Sequence, residues 1–266
     1  MDVVLKGLHL SVGESIAKST KSLNYKREIN TMRLKFLDLT DNGSNIILAV
    51  VAATLLVAVD LGFGLISFLR ENIGFKLFPD QTPTNILPAV IFCIYSFFGI
   101  VGILCASRFD LPSWWHPATD SSQSRQITTR VVLIGVTLVV FNTIVNVANS
   151  TKILESSHWL SLITPQTAIG LGLHAAFTEE ILFRLFLFPV AAWIAWHFLH
   201  SRKDSLIIGA IVSSSLFGLM HGAAFFVAFV LGFPMIYIYY HRGLLPAIIV
   251  HFLADGIPFV IIALSV

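Results

Sequence analysis

Three groups of residues in the last third of the chain have the types and spacing to do chemistry, and each lies within an apolar run. The first is Glu179-Glu180-Ile181-Leu182-Phe183-Arg184. Two adjacent carboxylates repel each other and are hard to ionise together in an apolar setting. Arg184 follows Glu180 by four positions, on the same helix face and in the favourable acid-before-base order. A Glu180–Arg184 pair leaves Glu179, about 100° round the helix, as an unpaired carboxylate suited to general-base work. For this group alone, a structural ion pair with one protonated Glu serves equally well. The second group ends Phe217-Gly218-Leu219-Met220-His221, directly before Gly222. Taken alone, His221 is better read as a hydrogen-bonded packing residue. The third is His251-Phe252-Leu253-Ala254-Asp255, whose four-residue spacing puts both side chains on one face. An Asp held against a His fixes its tautomer and makes the other nitrogen a defined donor or ligand.

The elements that must position these groups follow from composition. Of 266 residues, 56% are hydrophobic and 12% charged, mean hydropathy is +0.82, and 22 are Phe and five Trp. A soluble domain is about 25% charged, so half that fraction excludes a surface facing mainly water. The net charge of +2 adds little, since distribution matters more than sum in a membrane chain. The fold class expected is all-α: a polytopic membrane helical bundle with seven or eight transmembrane segments. Apolar runs at 45–69, 86–107, 127–148, 165–199, 205–222, 224–240 and 244–264 reach or approach the ~20 residues that cross a bilayer as helix. The run 165–199 would be about 52 Å of helix against a core of about 30 Å, and it holds Pro189. A tilted, broken helix or two shorter ones is therefore expected there. The link Gly222-Ala223 carries no polar group and is expected to lie inside the protein, where irregular backbone is tolerated.

Residues 1–44 are polar and read as a flexible or surface-lying tail, with Met32 as an alternative start; 45–266 form the transmembrane domain. The tail lacks a signal peptide's apolar core, and its acidic residues argue against a transit peptide. With the tail inside, the inner loops and helix ends hold Arg108, Arg125, Arg130, Arg202, Lys203 and Arg242, and the outer ones Arg70, Lys76 and Lys152. That bias places the N-terminus on the cytoplasmic side of an integral, multi-pass protein. Trp114 and Trp115 suit an interfacial belt. Cys93 and Cys105 read as buried small hydrophobes. Asp60 and His174 suit structural or access roles ahead of catalysis, Gly170 and Gly172 close helix packing, and His197, His200 and His241 no special role.

The ordered set Glu-Glu-x-x-x-Arg, Phe-x-x-x-His and His-x-x-x-Asp on separate membrane helices resembles the CPBP family (CAAX protease and bacteriocin-processing, Abi). That family includes the type II CAAX prenyl endopeptidases. The resemblance covers about 160–265, the protease-like core, and implies an intramembrane endopeptidase cleaving peptide bonds at or near the membrane, with C-terminal CAAX-type processing as one form. Glu179 would then take the proton of the attacking water, with His221 holding that water. Glu180, His251 and Asp255 would complete the catalytic set, the last two facing the scissile carbonyl, while Arg184, paired with Glu180, would be a structural clamp with Phe217 as further support. The family also uses Asn at the last position, and an ionised Asp cannot donate to an oxyanion. Asp255 therefore either orients His251 or stays protonated. A metalloprotease is the alternative: Glu179, His221 and His251 are normal ligand types for a divalent metal such as Zn²⁺. Otherwise no cofactor is required. Expected partners are a peptide or protein substrate, lipidated ones included, and membrane lipid, with no nucleic acid. The rival functions are a proton-coupled transporter, which would spread polar residues over both halves, and a catalytically silent immunity or scaffold protein.

Overall fold

The structure, a computed structural model, describes residues 39–69, 83, 85–116, 121–156 and 161–265, and every regular element among them is helical. The chain divides into two compact units, Met1–Asp41 and Asn42–Val266, and the architecture below is that of the second. Most of the expected polar tail, Met32, Arg70 and Lys76 lie outside the described residues. The helices are α1 Leu39–Gly62, a short α2 Leu65–Phe68, α3 Leu87–Ser107, α4 Ser122–Ala148, α5 Ser150–Ser156 and α6 Pro165–Glu179. A π-helical stretch, Glu180–Leu187, leads into α7 Phe188–Leu199; α8 Arg202–Met220, a 3-10 turn Gly222–Ala224, α9 Phe225–Arg242 and α10 Leu244–Ser265 complete the fold. Among the described residues six helices are long and apolar enough to cross a membrane, and Ile46–Gly62 is a shorter apolar one. The protein is thus an integral, multi-pass, all-α membrane bundle.

The helix starts follow local chemistry. Thr164 Oγ1 accepts from the Thr167 N–H at 3.1 Å and Pro165 stands in the first turn, where its missing N–H costs nothing. Ser121 caps α4 in the same way through the Ser124 N–H. The long run 165–199 does not break at Pro189. It continues as one helical path, and its irregularity lies before the proline, in the π-helical stretch. There the Phe188 N–H reaches back five residues to the Phe183 carbonyl, which also accepts from Ser213 Oγ at 2.6 Å. Widening ahead of Pro189 lets the ring enter the first turn of α7, where its missing N–H is best tolerated.

Two expectations are corrected. The Gly222 turn is exposed rather than enclosed, its backbone reversing through Gly222 at φ +55°. Its apolar neighbours Phe225 and Phe226 are exposed too, so the turn is made compatible with lipid by its side chains rather than by protein cover. Cys93 is exposed on α3, whereas Cys105 is buried as expected.

The packing that builds the site centres on α10, which lies against α6, α4 and α9. A Cβ on Gly172 would stand 2.8 Å from the Gly256 Cα, so α6 and α10 touch backbone to backbone there. That close approach carries the Glu179–Glu180 segment up to the His251 face. At the opposite end, buried Arg242 donates to the Ser124 carbonyl at 2.9 Å and to Thr128 Oγ1, tying α9 to α4.

Candidate active site

Glu180, Arg184 and His251 are buried, and they meet where the π-helical stretch faces α10. His251 Nδ1 lies 2.6 Å from Glu180 Oε1. Its Nε2 lies 3.2 Å from Asp255 Oδ2 and 3.5 Å from Glu179 Oε2. Both ring nitrogens thus face carboxylate oxygens, an arrangement suited to a ring that donates from both sides.

Arg184 Nη1 stands 3.2 Å from Glu180 Oε1, with the two side chains 1% and 0% exposed. The pair is an ion contact without aligned hydrogen bonds, because no guanidinium nitrogen of Arg184 finds an acceptor in good geometry. Residues four apart stack less well where the helix widens to a π turn. The cation instead lies over the Phe217 ring, 4.3 Å from its centroid. Phe217 also packs edge-on to Phe183 at 5.2 Å, against His221 at 4.5 Å and against His251 at 6.3 Å. This one aromatic ring touches every motif, a larger part than support for its own helix.

His221 caps the end of α8, and its Nδ1 lies 2.8 Å from the Phe217 carbonyl. A carbonyl only accepts, so Nδ1 carries the proton and Nε2 is left as a free lone pair in the neutral ring. His221, His251 and Asp255 line one cavity of about 410 Å³, walled by α4, α8, α9 and α10. Glu179 is not on that wall. Its carboxylate stands beside the His251 ring with 16% of the side chain accessible, and its Oε2 is buried without a hydrogen-bond partner.

The sequence motifs missed Asn142. Pro258, inside α10, has no N–H for the Ala254 carbonyl. Asn142 Nδ2 from α4 donates to that carbonyl at 2.8 Å and to Asp255 Oδ1 at 3.1 Å. Asn146 Nδ2 in turn donates to the main-chain carbonyl and to Oδ1 of Asn142, at 2.8 and 3.1 Å. A signal was present: Asn142, Asn146 and Asn149 recur at helical spacing within an apolar span, where polar side chains are costly.

These residues fit a resident metal poorly. Among the described residues no three His, Cys, Asp or Glu side chains are grouped to hold one ion. Both nitrogens of His251 are committed to carboxylates, which leaves His221 Nε2 and Glu179 without a third converging donor.

Residues 159–257 match the family model described as type II CAAX prenyl endopeptidase Rce1-like. The matched stretch contains all three motifs and ends two residues after Asp255. No curated protein and no solved structure matches the chain. The match spans 99 of the 266 residues, so it is this C-terminal stretch that is similar to that family.

A second polar contact was legible only as separate residues. His174 Nδ1 lies 2.6 Å from Asp60 Oδ1, joining α6 to α1, and Asp60 is 1% exposed. Neither residue lines the cavity.

Proposed function

We propose that the protein is an intramembrane endopeptidase in which Glu179 activates the attacking water and His251 receives the developing oxyanion. The observation that carries this reading is the surplus carboxylate. Arg184 and a doubly protonated His251 match two of the three acids Glu179, Glu180 and Asp255; Glu179 and Glu180 each keep an unpartnered oxygen, and Glu179 is the one with the longest contact to these bases. A buried acceptor without a partner is where a water binds best.

The step moves charge without creating it. Water held between Glu179 and the His221 Nε2 lone pair attacks the scissile carbonyl, and its proton passes to Glu179. The negative charge leaves Glu179 and appears on the carbonyl oxygen, towards which His251 Nε2–H turns from Asp255. Glu179 then returns the proton to the leaving amine as the C–N bond breaks. Glu180 holds Nδ1 throughout, so the ring keeps its orientation. Asp255 accepts from both Asn142 and His251, which suits the orienting role and not that of a direct donor. A lipidated peptide processed near its C-terminus is the substrate class this reading takes, presented from the bilayer.

The test is cleavage of an internally quenched prenylated peptide by the purified protein in lipid nanodiscs. Glu179→Ala and His221→Ala are expected to abolish turnover while a strong chelator leaves the wild-type rate unchanged. Cleavage by both variants at the wild-type rate would overturn the reading; loss in chelator with rescue by Zn²⁺ would replace it with a metal mechanism. We further propose a cytoplasmic N-terminus, which the bias of basic residues towards one set of helix ends supports. Thiol labelling of a cysteine introduced at Lys203, reactive from the opposite side of oriented vesicles only, would reverse that topology.

A further inference from the structure

Asn142 and Asn146 of α4 and Asn149 at its C-terminal cap leave an unusual residue of hydrogen-bonding capacity. Each amide has its orientation fixed by a main-chain carbonyl, which can only accept: Asn142 Nδ2 by Ala254, Asn146 Nδ2 by Asn142, and Asn149 Nδ2 by Val145 at 2.7 Å. The three Oδ1 atoms are therefore all acceptors facing away from those bonds. That of Asn142 is taken by Asn146. Those of Asn146 and Asn149 meet no donor among the described residues, although both residues line the cavity.

We propose that Asn146 and Asn149 form a docking rail for the main chain of an extended peptide substrate, accepting hydrogen bonds from its N–H groups. This deepens the endopeptidase reading and rests on it. The rail starts at Asn142, whose amide holds Asp255 at the reacting end. From there to Asn149 the helix rises about 10 Å, the length of about three residues of extended chain. Burial falls along the same path, from half-buried at Asn142 and Asn146 to exposed at Asn149, as it must for a groove leading outward from the site. The facing wall is apolar, with Val227, Leu231 and Met235 of α9. One wall thus offers acceptors for the backbone and the other apolar surface for side chains. A peptide entering a membrane cavity needs this division, because its N–H groups have no water to bond there. Specificity for side chains then belongs to α9, and α4 sets the register of the chain relative to His251.

Binding separates this proposal from the cleavage reading. The probe is a fluorescently labelled prenylated peptide, titrated in nanodiscs against the full chain carrying Glu179→Gln, together with a series in which each amide of the peptide is N-methylated in turn. Asn146→Ala and Asn149→Ala are each expected to weaken binding about tenfold, the worth of one hydrogen bond near a low-dielectric site. One N-methylated peptide should bind about tenfold more weakly to the parent, and that penalty should vanish in the matching Asn→Ala variant. Asn149→Ala touches only a bond to its own helix, so it remains informative if Asn146→Ala disturbs Asn142. Unchanged affinity in both variants, an N-methyl penalty that survives in both, or no binding of the peptide at all would each overturn the rail. Binding with these penalties but no cleavage by the wild-type chain would leave the rail standing and sink the protease mechanism instead.

Discussion

Two histidines in this protein sit 2.6 Å from a carboxylate through Nδ1, each across a helix–helix interface, and they have opposite surroundings. Among the described residues His174 meets one carboxylate, that of Asp60, away from the cavity. His251 meets Glu180, Asp255 and Glu179, with Arg184 behind them and the cavity in front. An unpartnered carboxylate oxygen does not distinguish the two, since Asp60 Oδ2, Glu179 Oε2 and Glu180 Oε2 all lack a donor. What differs is balance. His174 gives Asp60 one hydrogen-bonding partner and completes a structural tie. The His251 group holds more acid than base, and it faces open space, so one carboxylate remains to exchange a proton. Surplus charge beside a cavity, rather than burial of charge as such, marks where chemistry is built.

The sharpest way to break this contrast is to make the same isosteric change on each side. Glu179→Gln keeps shape and removes the base, and kcat/KM for the quenched peptide is expected to fall by about 10²–10⁴. Asp60→Asn should change kcat/KM of the folded fraction by no more than about twofold. Equal losses in the two variants would mean that both groups belong to one catalytic system.

Phe217 comes next. Its ring lies under Arg184 and against His221, within the cluster of Phe183 and Ala228, so it holds both sides of the site at once. Phe217→Ala should lower kcat by about 10²-fold, the usual penalty for displacing catalytic groups by about an ångström. Phe217→Tyr should retain activity within a few-fold, because the cation keeps its aromatic face. A kcat unchanged by Phe217→Ala would show that Arg184 and the histidines are placed by the helices alone.

The legible part of the molecule was that carried by charge and periodicity. The number and order of the apolar helices follow from hydropathy, and Glu179, Glu180, His221, His251 and Asp255 stand out because ionisable residues are rare in such runs. Partnership was not legible. The i,i+4 rule pairs Glu180 with Arg184 and His251 with Asp255, yet the shortest contact of His251 is to Glu180, 71 positions away. Local spacing cannot reveal a contact set by helix packing at Gly172 and Gly256. Asn142 escaped notice because it carries no charge, and the Ala254 carbonyl that fixes it is freed by Pro258, which belongs to none of the three motifs. The π-helical stretch was likewise hidden, since Pro189 marks where a helix must adjust without saying on which side it does so.

Asp255→Asn probes the acid side of the same comparison with a smaller expected effect. The Asn side chain can still accept from Asn142 through Oδ1, while its Nδ2, standing where Oδ2 accepted from His251, can no longer hold the His251 Nε2–H and releases it towards the cavity. It removes one of the three negative charges around His251. We expect kcat/KM to change by less than about tenfold. A loss as large as that of Glu179→Gln would make Asp255 a direct participant in proton transfer.

The smallest effect on activity, and the most telling one for the contrast, is expected at the isolated pair. His174→Phe leaves the Asp60 carboxylate, 1% exposed, without its hydrogen-bond donor. Breaking a buried pair from one side is costly, about 3–5 kcal/mol, whereas replacing both members with apolar residues is often neutral or stabilising. Thermal unfolding in detergent should therefore rank His174→Phe and Asp60→Leu below wild type, with the double variant at or above it. All three should cleave the quenched peptide at the wild-type rate per folded molecule. The non-additive recovery is the signature of a tie whose only function is to satisfy itself. If the double variant recovered its stability but cleaved more than about tenfold more slowly, the Asp60–His174 contact would be transmitting position to Glu179 along α6. The two histidines would then be unequal parts of one site.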